Sequence, residues 1–293
     1  MDKKNFNKGV LLTSFGSFWW GFFGVIYFKY ISFAGHLEVL IHRSVWTAFL
    51  LIITTFMFSK WSIFKNILKD KKKLLILFIS GFLIFINWGV WIYAVSVDKI
   101  IDASFGYFIM PIISVFLGYS FFKEPITKKG KISIFLVVIS VSYLILLDFS
   151  SIPWVGLIVA LSWSFYNLLR KKINVNTDIG LLIESLYILP FALVAFYFIS
   201  INNFNDFSLS NPSLMPLLML AGPMTVIPLF LYVRGVELAG LGPAGMIFYI
   251  TPTLQFLLGF FIYNEQFNIN QLVSFILIWI AVFIYLKDIY EKN

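Results

Sequence analysis

Ten apolar segments, each about as long as a membrane is thick, constrain this chain more than any other feature. They run near residues 10–28, 38–59, 74–96, 102–122, 130–147, 152–169, 179–200, 213–234, 241–262 and 270–287. A helix needs about 20 residues to cross a hydrocarbon core of roughly 30 Å. Strands of a membrane barrel would be about half as long and would alternate polar and apolar residues, whereas residues 74–79 read LLILFI. The pattern predicts an all-α integral membrane protein with ten transmembrane helices.

The shortage of charge leads to the same conclusion. Only 12% of the 293 residues are charged and 60% are hydrophobic, whereas about a quarter of a soluble domain is charged. The chain has no cysteine, which excludes disulfides, thiolate metal sites and cysteine nucleophiles. The first segment is too long and too aromatic for a cleaved signal peptide, so we expect it to be retained.

The basic residues are concentrated on one predicted side of the membrane. If the N-terminus is cytoplasmic and ten helices alternate in direction, 19 of the 22 Lys and Arg residues fall on the cytoplasmic side. Cytoplasmic loops of membrane proteins carry this excess. The distribution predicts a multi-pass protein with both termini in the cytoplasm. It also attributes the net charge of +8 to topology rather than to binding of nucleic acid.

The sequence repeats itself at a shift of 141 residues. The paired positions include Gly81 with Gly222, Pro111 with Pro252, Gly118 with Gly259 and Glu124 with Glu265. Each half holds five segments, so the second half enters the membrane from the opposite side and the halves form inverted repeats. We predict two such repeats, residues 1–148 and 149–293. Secondary transporters commonly have this arrangement, although gene duplication also builds channels and membrane enzymes.

Ionisable residues inside membrane segments are costly, so each is a candidate functional residue. His42 and Arg43 lie about one turn inside the outer end of the second segment, and Glu184 lies about as deep from the inner end of the seventh. We expect Arg43 to bind an anionic group or form an outer gate. Glu184 would be an inner gate or a proton-coupling carboxylate. The alternative is that each satisfies loop carbonyls or a local partner. The membrane faces are some 30 Å apart, so a direct Arg43–Glu184 ion pair is not expected.

The third segment carries a polar group at its middle. Asn87 is expensive in lipid and should face a cavity or another helix. Trp88 is its neighbour, and Trp91 lies one turn further on the same helical face. Three tyrosines would suit the wall of a pocket for an amphipathic solute: Tyr107, Tyr166 and Tyr249.

Motifs for metal binding and catalysis are absent from the sequence. His36, Glu38 and His42 do not share one helical face and fit no common zinc spacing. No glycine-rich phosphate loop with a Lys-Ser/Thr pair occurs. We expect no metal, no cofactor and no enzymatic activity. Glu124 and Glu265 follow corresponding segments, which favours caps or loop anchors.

Several segments together resemble a known family. They are residues 26–29 (IYFK), 40–43 (LIHR), 87–88 (NW), 106–108 (GYF), 169–173 (LRKKI), 182–184 (LIE) and 249–254 (YITPTL). With the Pro-containing helix and loop Glu of each half, they resemble the tandem EamA domains of the drug/metabolite transporter superfamily, and within it the RarD branch of chloramphenicol-sensitive proteins. Two departures are the lack in the second half of a Gly equivalent to Gly130 and the apolar Phe248 before Tyr249.

The resemblance implies a ten-helix, inverted-repeat permease of the bacterial cytoplasmic (inner) membrane. Our hypothesis is a secondary transporter of small organic solutes, such as amino acids, related metabolites or drugs, working by alternating access. Its partners would be the small-molecule substrate, membrane lipids and a coupling proton, with the chain a monomer or a homodimer. The alternatives are an integral membrane enzyme or lipid-handling protein, and a passive channel.

Overall fold

Helices account for every regular element that the computed structural model describes, over residues 3–97, 100–148, 154–173, 175–202, 204–262 and 269–292. The α-helices are α1 (Lys3–Trp19), α2 (Val25–Tyr30), α3 (Gly35–Met57), α4 (Trp61–Ile67), α5 (Lys71–Ser96), α6 (Ile100–Phe122), α7 (Lys128–Asp148), α8 (Trp154–Lys172), α9 (Thr177–Ile201), α10 (Leu214–Met219), α11 (Ala221–Ala239), α12 (Leu241–Ile247), α13 (Ile250–Phe261) and α14 (Ile269–Lys292). Each predicted apolar segment coincides, within a few residues, with one or more of them.

Six stretches of the described chain are long and apolar enough to cross a membrane. They are Lys3–Met57, Lys71–Ala94, Lys128–Leu147, Thr177–Ile201, Leu214–Ala239 and Leu241–Leu258, and Gly106–Phe122 is a shorter apolar helix. These spans fit a multi-pass membrane protein. The first stretch, at 55 residues, is far longer than the roughly 20 residues of one crossing.

Two irregular turns interrupt the first stretch. A π-helical turn, Trp20–Gly24, lies between α1 and α2, and a 3₁₀ turn, Ile31–Ala34, precedes α3. The chain reverses at Gly35, whose φ of 74° belongs to a conformation that glycine adopts without steric cost. The π turn widens the helix locally, and such turns are frequent at functional sites.

The most extensive helix interfaces join the two halves of the chain. In these, α1 packs on α11, α8 packs on both α5 and α6, α3 packs on α9, and α7 packs on α14. The core of the protein therefore lies between the halves rather than within each of them.

Glycines let several of these helices approach closely. A Cβ atom on Gly9 of α1 would lie 2.6 Å from the backbone nitrogen of Ala239 on α11, and one on Gly222 would lie 2.6 Å from the carbonyl oxygen of Trp46 on α3. Small residues at helix contacts are the usual means of close packing in membranes.

A loop carboxylate fastens the start of α12. The two oxygens of Glu124 accept hydrogen bonds from the backbone nitrogens of Leu241 and Gly242, each at 2.9 Å, and the carboxylate also pairs with Lys171. These bonds confirm the predicted role of Glu124 as a loop anchor. The corresponding Glu265 lies outside the described residues.

We expect Gly222→Ala to destabilise the protein, because the added methyl group would collide with the backbone of Trp46. Backbone cannot move aside by a change of rotamer as a side chain can. Overpacking of this kind costs about 1–3 kcal/mol. The matched control is Gly89→Ala, whose methyl would meet only a Leu40 methyl at 3.4 Å and should be neutral or stabilising. Thermal unfolding of the two purified variants in detergent measures the difference, and equal unfolding temperatures would contradict the close α3–α11 contact.

Candidate functional site

A cavity of about 30 Å³ lies between helices of both halves. Seven of its lining residues are aromatic, one is cationic and, in the part of the chain that the structure describes, none is acidic. The lining consists of Trp20, Gly24, Phe28, Arg43, Asn87, Trp88, Trp91, Tyr107, Trp163, Phe248, Thr251 and Gln255.

Helical spacing explains why these side chains converge. Asn87 and Trp91 on α5 are four residues apart, as are Thr251 and Gln255 on α13, and residues at this spacing share one helix face. Trp20 is the first residue of the π turn. The widened turn thus places an aromatic side chain at the cavity.

Among the described residues, Arg43 is the one cation that lines this cavity. Its side chain is buried, and its guanidinium carbon lies 4.8 Å from the centre of the Phe28 ring and 4.5 Å from that of Trp88. No ion pair or hydrogen bond joins it to another described residue, and its Nε is buried without a partner. A buried arginine without a carboxylate partner destabilises the fold. The positive charge of Arg43 is therefore retained at this cost, without an acidic partner among the described residues.

Asn87 links α5 to α8. Its Nδ2 donates to the carbonyl oxygen of Val159 at 3.0 Å and lies 3.1 Å from the Ser162 hydroxyl oxygen. Its amide oxygen accepts no hydrogen bond from the described residues. Asn87 therefore joins the two halves through its nitrogen and leaves an acceptor available beside the cavity.

Other buried polar atoms of the lining also lack partners among the described residues. They are the indole nitrogens of Trp20, Trp88 and Trp163 and the side-chain oxygen of Gln255. Buried polar groups are nearly always satisfied in native proteins. Together with Arg43 and Asn87, these atoms point to a site for a polar ligand with both donors and acceptors.

Five of the nine residues predicted from the sequence meet at this cavity: Arg43, Asn87, Trp88, Trp91 and Tyr107. His42 is not among them, although it is the neighbour of Arg43. Its Nδ1 accepts a hydrogen bond from the Trp46 indole at 3.1 Å, and its Nε2 lies 3.5 Å from Glu38. Glu38 in turn accepts from the backbone nitrogens of Asp206 and Phe207. His42 thus faces the loop that follows α9.

Glu184 belongs to a separate buried cluster. One carboxylate oxygen lies 3.6 Å from the guanidinium of Arg170, and the carboxylate accepts hydrogen bonds from the Ser80 hydroxyl and, at 3.2 Å, from the Tyr166 hydroxyl. Arg170 is 1% exposed and also lies 4.0 Å from Glu237. Glu184 and Tyr166 therefore help to neutralise a buried cation and do not line the cavity.

Tyr249 also lies away from the cavity. Its hydroxyl donates to the carbonyl oxygen of Phe108 at 2.7 Å, and its ring packs in the apolar cluster that α6, α7, α12 and α14 share. Its neighbour Phe248 lines the cavity instead, as an apolar wall.

The sequence reasoning missed several members of the lining, chiefly Trp20, Phe28, Trp163 and Gln255. The four-residue spacing of Thr251 and Gln255 was a usable signal, since both are polar in an apolar segment. By sequence, Arg170 is one of the basic residues of the predicted cytoplasmic side, and this gives no sign of its burial. In the described part of the chain, no group of three or more His, Asp or Glu residues could hold a metal ion.

Comparison of the sequence with known proteins assigns the chain to a family. The sequence model of the EamA-like transporter family matches the chain twice, over residues 7–146 and 150–287. The chain belongs to the EamA-like transporter family.

Relatives of this EamA-like transporter are named in several bacteria. Protein RarD of Escherichia coli K12 is 34% identical over 288 residues, covering 98% of this chain and 97% of the relative. A Bacillus subtilis protein described as the uncharacterised transporter YojE is 32% identical, with 97% and 95% covered. The chloramphenicol-sensitive protein RarD of Pseudomonas aeruginosa is 28% identical, with 84% and 83% covered. These names support a role as a membrane transporter.

A solved protein structure has the same fold. One crystal structure superposes with a TM-score of 0.68 at 13% identity, covering 94% of this chain and 96% of the other. At this identity the similarity concerns the fold alone.

The buried Arg170–Glu184 pair gives a prediction on stability. Arg170→Met or Glu184→Leu alone should cost about 3–5 kcal/mol, because each leaves a charge buried without its partner. The double variant should lose less than the sum, which thermal unfolding in detergent measures. Strict additivity of the two losses would contradict the coupling. Lys129→Met, which removes an exposed pair with Glu291, should change stability by less than about 0.5 kcal/mol.

Proposed function

We propose that this chain is a secondary transporter that moves small organic solutes, such as amino acids, related metabolites or drugs, by alternating access. Two inverted five-helix repeats, residues 1–148 and 149–293, would move against each other around the cavity. The ten crossings would be α1–α2, α3, α5, α6, α7, α8, α9, α10–α11, α12–α13 and α14.

The pattern of helix contacts supports the repeat. If α8, α9, α11 and α14 are the counterparts of α1, α3, α5 and α7, exchanging the halves converts the α1–α11 interface into α8–α5, and α3–α11 into α9–α5. All four interfaces exist, and α3–α9 and α7–α14 convert into themselves. A two-fold pseudo-axis produces this pattern. With five crossings per half, the axis would lie in the membrane plane and the binding site near its centre.

One observation carries the proposal: the unneutralised Arg43 lies in an aromatic cavity between the two halves. A scaffold role for this arginine would require a carboxylate or carbonyl partner, as Arg170 has. We propose that Arg43, Asn87, Trp88, Trp91 and Tyr107 bind the solute.

The remaining predicted residues would act outside the cavity. We propose that Glu184, with Tyr166 and Arg170, closes the cytoplasmic side, and that Glu184 is the group a coupling proton would reach. His42 would brace α3 against the loop after α9, and Tyr249 would hold α13 to α6 through the Phe108 carbonyl.

The rival functions require a different arrangement. A membrane enzyme would need titratable groups clustered beside the reacting atoms, whereas Arg43 is the single charged side chain that the described residues place at the cavity. The buried charges around Arg170 are paired with one another, and buried Glu38 lies beside His42. The geometry therefore favours binding over catalysis.

Counterflow in proteoliposomes tests the transport proposal. Vesicles preloaded with pooled unlabelled amino acids and organic acids should take up labelled members of the pool in a saturable manner. Arg43→Ala should weaken apparent affinity by about ten- to a hundredfold, the value of a charge-assisted hydrogen bond of about 1.5–3 kcal/mol. Lys129→Ala, at an exposed position, is the matched control and should transport normally. Non-saturating flux without counterflow would instead indicate a channel.

The absence of native cysteine allows a direct test of orientation. We expect a single cysteine at Leu209 to react with a membrane-impermeant maleimide on intact cells, because the loop after α9 would face the outside. Single cysteines at Lys72 and Lys131 should react only after the cells are permeabilised. Labelling of all three positions from outside would refute the predicted cytoplasmic side.

A further inference from the structure

We infer that the cavity selects organic monoanions over zwitterions and cations, and that its solute combines one carboxylate, an uncharged hydrogen-bond donor and a flat apolar body. The inference rests on the proposed transport function and goes beyond it by fixing the charge of the solute.

The charge of the lining determines the preferred charge of the ligand. Arg43 is permanently protonated, and no acidic side chain lines the cavity in the described part of the chain. A monoanion therefore brings the occupied cavity to zero net charge. A zwitterion leaves one positive charge and a cation leaves two, in surroundings where unneutralised charge is costly.

The two buried arginines make this contrast within one protein. Arg170 has Glu184 at 3.6 Å and Glu237 at 4.0 Å, and it donates to the Thr177 carbonyl oxygen at 3.1 Å. The described residues give the Arg43 guanidinium the rings of Phe28 and Trp88 as partners and no carboxylate. The protein neutralises the first arginine itself, and the monoanion would neutralise the second.

The surroundings of Arg43 favour a carboxylate. Contacts with the rings of Phe28 and Trp88 occupy the guanidinium without using its N–H groups. These N–H groups lie in one plane as a fork that matches two carboxylate oxygens. Trp88, whose ring contacts Arg43, offers a further donor beside the guanidinium, because its indole nitrogen is buried without a partner among the described residues.

Two amide oxygens call for a donor on the solute. The Gln255 oxygen is buried without a partner among the described residues. The Asn87 nitrogen makes the interhelical bonds, and the Asn87 oxygen accepts nothing from the described residues. A hydroxyl group would satisfy either oxygen without adding charge. An ammonium group would satisfy it too, but would restore the positive charge of the site.

The walls define the rest of the solute. Trp20 and Trp163 meet edge to face at 5.0 Å, and Tyr107 packs on Phe248 at 5.4 Å. Rings at such distances contact each other directly, so these pairs form apolar aromatic walls against which a flat apolar body can pack. The cavity, about 30 Å³ in volume, is smaller than the range of about 300–1,000 Å³ typical of small-molecule sites, so the helices around it must move apart to admit such a solute.

Four probes with a common phenylethyl body isolate the effect of charge. They are 3-phenyllactate, 3-phenylpropanoate, phenylalanine and 2-phenylethylamine, measured at neutral pH by quenching of tryptophan fluorescence and by counterflow. We expect affinity to fall in that order, with phenyllactate bound about tenfold or more tightly than phenylalanine. Phenyllactate should exceed phenylpropanoate because it alone of the two supplies a hydroxyl donor.

Two variants move the charge in opposite directions. Arg43→Gln should abolish the preference for both anions. Gln255→Glu replaces the amide by a carboxylate of nearly the same shape, and the Gln255 oxygen has no hydrogen bond to another described residue. This variant should shift the preference to phenylalanine. Gel filtration and thermal unfolding check that each variant folds. If Arg43→Gln does not fold, Gln255→Glu still tests the inference.

The outcomes for charge selection and for transport are separable. Equal or tighter binding of phenylalanine by the unaltered protein overturns the monoanion inference, as does failure to bind any of the four probes. Saturable counterflow with the pooled solutes would uphold transport in either case. Loss of all counterflow, with folded protein and the whole pool, overturns the transport proposal itself.

Discussion

Hydrocarbon offers no partners for hydrogen bonds, and this constraint determines where the polar groups of the chain lie. Helices satisfy their own backbone, so the remaining polar side chains must find partners on other helices. In the described residues these partners often belong to the opposite half: Asn87 bonds to Val159, and the Ser140 hydroxyl donates to the Ser274 carbonyl oxygen at 2.8 Å. The interface between the halves is therefore both the polar core and the place where a polar cavity can exist.

Under the same constraint, the two buried arginines differ in the partners that the protein gives them. The Arg170–Glu184 cluster receives counter-charges and hydrogen bonds from hydroxyl, carboxylate and carbonyl groups of its neighbours, although Nε and Nη1 of Arg170 make no hydrogen bond within the described residues. Arg43 is open, with ring faces as its partners. Burial and residue type are alike at the two arginines, so only the set of partners separates their roles.

Much of the fold could be predicted from the sequence, because membrane segments are defined by length and hydropathy alone. Arg43 and Asn87 could be predicted as site residues because lipid excludes them. The aromatic walls of the cavity could not be predicted, since Trp20 and Trp163 are two aromatic residues among many. Whether each ring lies at the cavity or at the lipid depends on how the helices pack. Arg170 was missed for a related reason: a basic run at a helix end indicates topology, and only the need of Glu184 for a partner could have revealed its burial.

The proposed inverted repeat would combine a symmetric scaffold with asymmetric chemistry. Arg43 and Glu184 occupy corresponding positions at the shift of 141 residues, yet one contributes to the cavity and the other to a closed ion pair. Under alternating access, an anionic group would stay attached to α3, in the first half, while helices of the second half move past it. Asn87, bonded to α8 through its nitrogen, would then sense that movement directly. If transport proceeds as proposed, the symmetric frame would make the two conformations similar in energy, and the charge of Arg43 would decide which solutes bind.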